Sequence, residues 1–190
     1  MANVNNPNGF NYVSVGKPYP PRTRVFNKLV GSGTAIFQND VVYSPAGSSG
    51  QDQPPVASFN DGTAVVGTTI PQGVAVNFGS ASLATRHSVI VDLDAEYQAQ
   101  DNDPTTGMLA TDMGKNANLD KGSVAGSSTT GFSGMQLDKS GVTAVPSTSA
   151  TAFEFHLLKR WLDVFNAYGP NCRVLVKFNK EREATATVGV

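Results

Sequence analysis

Asp92, Asp94 and Glu96 alternate along the stretch DLDAEYQAQDND, and Asp101 and Asp103 close it. Carboxylates at that density are hard oxygen ligands, and a structural Ca²⁺ is the chemistry they suggest. The calcium-loop pattern counted from Asp101 fails, because its sixth position is Thr106 rather than Gly, and a solvated strand face accounts for the alternation without a metal. His87 and His156 lie outside any HExxH arrangement, and no Gly-x-Ser-x-Gly elbow accompanies them. His87 with Asp92 and Asp94 is the one combination that offers metal-assisted hydrolysis. GSGTAI at Gly31 breaks the dinucleotide fingerprint at Ile36, and GMLATDMGKN lacks the spacing of a phosphate-binding loop. Cys172 is the single cysteine, so an internal disulfide and a multi-cysteine metal site are excluded, and it reads as a small packing residue. These patterns point away from an enzyme, and no cofactor is expected.

The elements that carry these residues read as strands. In HSVIVDLDAEYQAQ, residues 87–100, Val89, Val91, Leu93, Ala95 and Tyr97 share one parity, while Ile90, Asp92, Asp94, Glu96 and Gln98 share the other. This predicts one long central strand with a core face and a wet face, and burial of Val91 and Leu93. Shorter strands are predicted in TAIFQNDVVY from Thr34, TAVVGTTI from Thr63, GVAVNF from Gly73 and RVLVKFN from Arg173. Residues 152–169 read as a strand first, then at most a short helical turn ended by Gly169 and Pro170.

Charged residues make up only 15% of the chain, and 19 Gly with 11 Pro imply many turns and few long helices. The fold class is therefore all-β, a single-domain β-barrel or sandwich with an extended N-terminal arm and long ordered loops. Pro7, Pro18, Pro20 and Pro21 keep residues 1–24 from regular structure, which makes that segment an arm held by a neighbouring subunit. Residues 25–180 form the β-rich domain, including a loop at 101–150, and 181–190 are a polar tail. The stretch 114–140 is read as an ordered loop with a binding role, because its apolar residues follow neither strand nor helix spacing. A formal net charge of -1 without long runs of either sign gives nucleic acid or an anionic membrane nothing to hold. The N-terminus has no apolar h-region, and no stretch approaches the roughly 18 apolar residues of a membrane span, so a soluble protein without a signal peptide is expected.

The order of NPNGF at Asn6 to Phe10, VDLDAEYQAQD, GKNANLD, TTGFSGMQLD and the closing FEFHLL…NAYGPNCRVLVKFN resembles the capsid cement, or head decoration, proteins of tailed bacteriophages. The resemblance runs from residue 6 to about 179, with NAYG and TGFSGMQLD its most specific pieces. It implies a non-catalytic virion protein on the outer capsid surface. Its partner would be a major capsid protein of the HK97 fold, whose subunits it would bridge as a homotrimer. Candidate contacts with the capsid or a neighbouring copy are Phe10, Tyr12, Arg22 and Arg24 in the arm, Phe132 and Leu137 in the 114–140 stretch, and Trp161. Phe10 and Tyr12 would insert as anchors, and Arg22 and Arg24 would pair with acidic groups. A virion-surface receptor- or glycan-binding module built around Trp161 and Tyr168 is the alternative, and the hydrolase follows it.

Overall fold

A computed structural model describes residues 3–14, 20–29, 34–45, 55–61, 64–65, 69–81, 86–92, 94–121, 126–143 and 154–179. The chain begins with β1 (Asn11–Ser14), then builds β2 (Thr23–Lys28), β3 (Val41–Tyr43), β4 (Pro55–Ser58), β5 (Gly73–Ala75) and β6 (Arg86–Ile90). It continues through β7 (Glu96–Gln100), one 3₁₀ turn (Ala110–Asp112), β8 (Asn116–Asp120), β9 (Gln136–Thr143), β10 (Phe155–Arg160) and β11 (Arg173–Phe178). No α-helix occurs among the described residues. Strands β2-β4-β3-β5-β6 close a barrel, and β1-β7-β11-β10-β8-β9 form a six-stranded sheet. The fold is all-β.

Strands β3, β4 and β5 are short runs because both of their sides are covered, while β2 leaves its outer side open. Phe26, Val42, Val56, Ala75, Val89 and Val91 pack together as one cluster. Their neighbours of opposite parity, Val41, Tyr43, Ala57, Val74 and Ile90, join Tyr97, Phe155, Leu157 and Phe178 of the sheet in a second, larger cluster. Barrel and sheet therefore share one core and make one domain.

The segment read as a single strand over 87–100 is two strands. Asp92 O accepts the Ala95 amide at 3.0 Å and Asp92 Oδ1 accepts the Asp94 amide at 3.2 Å, a side-chain-supported turn that takes the chain from β6 to β7. Ile90, assigned to the wet face, is buried because it faces the sheet. Val91 is buried as expected, and Leu93 lies outside the described residues. The turn also dissolves the carboxylate face: Asp92 and Asp94 stand in the turn, while Glu96 opens β7 and accepts the Ser14 hydroxyl.

The arm is corrected as well. Tyr12 pairs with Tyr97 along β1–β7, and Phe10 is fully buried with its ring stacked 4.4 Å from Phe155. Proline blocks a ladder amide only where it stands, and residues 11–14 contain none, so this stretch is free to add a strand to its own sheet. The 114–140 stretch contains β8 and the start of β9, which pair with Leu119 opposite Leu137. Its irregular apolar spacing comes from strand residues interrupted by a turn. No helical turn follows β10, which gives way to a loop. The stretch from Thr63 forms no strand among its described residues, and the tail from 181 lies outside them.

The pieces of sequence that carry the resemblance meet at the junctions of the fold. Gly9 of NPNGF stands where a β-carbon would lie 2.5 Å from both Asn39 O and Ser133 Cβ, and Ser133 belongs to TTGFSGMQLD. Asp101, which ends VDLDAEYQAQD, accepts the Cys172 amide at 2.6 Å. Gly107 packs against the Gly169 carbonyl of NAYG, too closely for any side chain.

Candidate functional site: the outer face of the barrel

Residues directly opposite in an antiparallel pair share a side of the sheet. Val25 stands opposite Ser88, and the Val76 amide reaches Ser88 O at 2.8 Å, so these three form one row on the outer wall. Asn27 opposite Arg86 begins the next row, and the chain bends at Val76 and Asn77 before Phe78. Phe78 lies 5.5 Å from the Phe37 ring. Phe132 is brought alongside by its backbone: the Gln38 amide donates to Gly131 O at 2.8 Å, and the Ser133 amide donates to Gln38 O at 2.9 Å. Gly131 passes so close that its β-carbon would touch Phe78 at 3.4 Å, and Gly126 leaves room for the Phe37 ring.

Val25, Val76, Phe78 and Phe132 are 46%, 42%, 39% and 36% exposed. Apolar side chains exposed together beside a closed barrel form a surface suited to protein docking. The exposed Arg86 offers a planar cation beside the patch.

Of the residues singled out in the sequence, Phe132 belongs to this face. Arg24 is exposed and stands opposite Val89, which places it on the other side of the barrel wall. Arg22 donates from Nη2 to Val91 O at 2.9 Å and from its amide to Asp92 Oδ2 at 3.3 Å, clasping the turn between β6 and β7. Phe10 and Leu137 are fully buried in the chain's own core, so neither can act as an anchor into a partner. Tyr12 is half-buried against Tyr97. Trp161 is half-buried at the start of the β10–β11 loop, and Phe132 stands outside the strands, bridged to Gln38. Val25, Val76 and Phe78 were missed because a continuous run such as GVAVNF gives no parity that separates an outer wall from a core.

The residues with apparent catalytic potential are used structurally. His87 is fully buried on the barrel side shared with Phe26, and its Nδ1 lies 3.2 Å from Asn77 O. Burial, then the Lys28 ammonium, hold its pKa low, while the Asn77 carbonyl pulls the other way. Lys28 is buried too, its Nζ donating to Ser80 O and Ala81 O at 2.7 Å each. His156 Nδ1 lies 3.0 Å from Asn116 Oδ1. Burial, then the Asp101 charge, push the Cys172 thiol up to about 12, which leaves it unreactive near neutral pH. Among the described residues no three His, Cys, Asp or Glu side chains come together to hold a metal ion.

The chain matches no protein-family model, and neither a curated protein nor a solved structure is found to be similar to it.

Proposed function

We propose that this protein is a non-enzymatic virion component that docks on the outer surface of a capsid and stabilises the shell by bridging major capsid subunits of the HK97 fold, most simply as a homotrimer. The observation that carries the reading is the exposed apolar patch of Val25 on barrel strand β2 with Val76, Phe78 and Phe132 in the segments that border the barrel. It is supported by the resemblance of the sequence to tailed-phage decoration proteins. A pre-ordered β wall suits a cementing role, because little conformational entropy is lost on docking. Closed symmetry would let each copy meet equivalent shell subunits.

The test is co-sedimentation and imaging of the purified protein with shells of its cognate major capsid protein, alongside Val25→Asp and Phe78→Ser. Both positions are exposed, so the variants should keep the native circular dichroism spectrum while losing tenfold or more in shell occupancy. Wild-type occupancy in both variants would remove the barrel face from the account, and no binding by the native chain would end the decoration reading.

A further inference from the structure

The strands next to the N-terminal segment carry a second surface of different chemistry. Arg173 stands opposite Gln100 and Asn11 opposite Gln98, so these polar side chains share one side of the six-stranded sheet. Two hollows adjoin there and both are lined by Arg173. One, of about 170 Å³, lies among Val4, Asp163, Phe165 and Asn171; the other, of about 40 Å³, lies among Asn6, Asn8 and Gln98.

The walls of this groove are tied down. Asn3 Nδ2 donates to Ala167 O and Pro170 O at 2.8 Å each, and its Oδ1 accepts the Ala167 amide at 3.0 Å. Asn166 joins the loop to β11 by donating to Trp161 O and Arg173 O and accepting the Arg173 amide. Gln100 Nε2 donates to Val4 O and Asn171 O, and its Oε1 accepts the Asn6 amide. Other lining residues have no such employment: the side chains of Asn6, Asn8, Gln98, Asn171 and Arg173 make no hydrogen bond to described residues. Phe165 is 64% exposed beside them, its amide held by Asp163 Oδ1 at 3.1 Å.

Planar amides each present donors and an acceptor at a spacing that suits neighbouring hydroxyls, and an exposed aromatic ring suits the C–H face of a pyranose. A cavity of about 150 Å³ is enough for a benzene-sized ring, so the larger hollow has room for one sugar ring. Arg173 and Asp163 carry opposite charges, which leaves the lining neutral. An apolar peptide would strand the amides without partners, and a phosphate would face the Asp163 carboxylate. We infer that this groove binds a neutral oligosaccharide, with one pyranose stacked on Phe165 and the hydroxyls of the next residue held by Gln98 and the asparagines of the N-terminal segment. This adds a binding activity to the shell role and uses a different sheet from the barrel face.

The test is retention of the intact protein on an array of neutral oligosaccharides built from glucose, galactose, mannose and N-acetylhexosamines, printed beside sialylated and uronic-acid-containing ones, followed by titration of the best neutral probe. Phe165→Ala should weaken binding at least tenfold and Gln98→Ala several-fold, while Phe165→Trp, which keeps the platform, should retain it. No neutral saccharide retained at millimolar concentration overturns the inference. So does retention that Phe165→Ala and Gln98→Ala leave unchanged, and so does a consistent preference for the acidic probes.

Discussion

Gly9 sits at a φ of +68° with Asn39 O and Ser133 Cβ both 2.5 Å from the place a β-carbon would take. Gly114 has a similar φ of +83° with nothing within 4 Å. The pair separates backbone strain from crowding. Gly114→Ala should cost about 1–2 kcal/mol in urea unfolding, the strain alone. Gly9→Ala should cost roughly 2–4 kcal/mol, because the neighbours must also move. Equal losses would mean that the contact around Gly9 relaxes freely. The buried carboxyls allow a second measurement. Burial pushes Asp101 up to about 6, against the pull of the Asp103, Cys172 and Met108 amides, and pushes Asp40 up to about 6 against Ser133, Phe37 and Ser58. A carboxyl whose folded pKa exceeds its unfolded one binds its proton more tightly in the native state, so stability is gained as pH falls from about 6 towards about 4. The histidines act in the opposite direction: burial holds His87 and His156 low, and stability is lost as the unfolded chain protonates below about 6.5. Whole-protein curves therefore mix opposing slopes, and Asp101→Asn isolates one of them. The stability gap between the native chain and this variant should widen by about 1–3 kcal/mol between about pH 7.5 and about pH 4.5. A constant gap would show that Asp101 titrates normally.

At the scale of elements, β1 is part of the fold. Phe10→Ala should cost about 3–5 kcal/mol, since it empties a fully buried site stacked on Phe155. Deleting residues 2–21 should leave a chain without a sharp urea transition, because Phe10 and the β1 edge go with it. A truncated chain that still unfolds cooperatively near the native midpoint would make β1 dispensable. Strand positions were largely legible in the sequence: RVLVKFN became β11, and the apolar core of HSVIV became β6. Breaks and partners were less legible. Alternation continues through VDLDAEY even though the chain turns there, because the Asp92 carboxylate that supports the turn occupies a position a wet strand face would also fill. Leu137 and Phe132 looked alike in a Gly- and Ser-rich stretch, and only the pairing of β8 with β9 buries the first, while the bridge to Gln38 holds the second out. The groove around Arg173 was out of reach for the same reason: its asparagines come from residues 6–8 and 171, and turn-rich composition explains each one separately.

At the scale of the molecule, the core that runs from Val41 and Tyr43 of the barrel to Phe155 and Phe178 of the sheet should make the chain unfold in one transition. Tryptophan fluorescence at Trp161, in the sheet loop, and far-UV circular dichroism of the whole should give superimposable urea curves; separated midpoints would mean that barrel and sheet fold independently. The arrangement around β7 also has a mechanical meaning. Strand β1 lies on one side of β7 and β11 on the other, both antiparallel to it, with Ser14 and Lys177 each opposite Glu96. The segment leading into β1 therefore leaves the sheet near Gln100, and the segment following β11 leaves near Glu96. A force drawing residue 3 away from residue 179 pulls along these ladders, so that their hydrogen bonds bear the load side by side and must yield together. The same bonds pulled from one end would open one at a time. In the shell role proposed above, that would make these strands a tension member, strongest along the line joining residues 3 and 179.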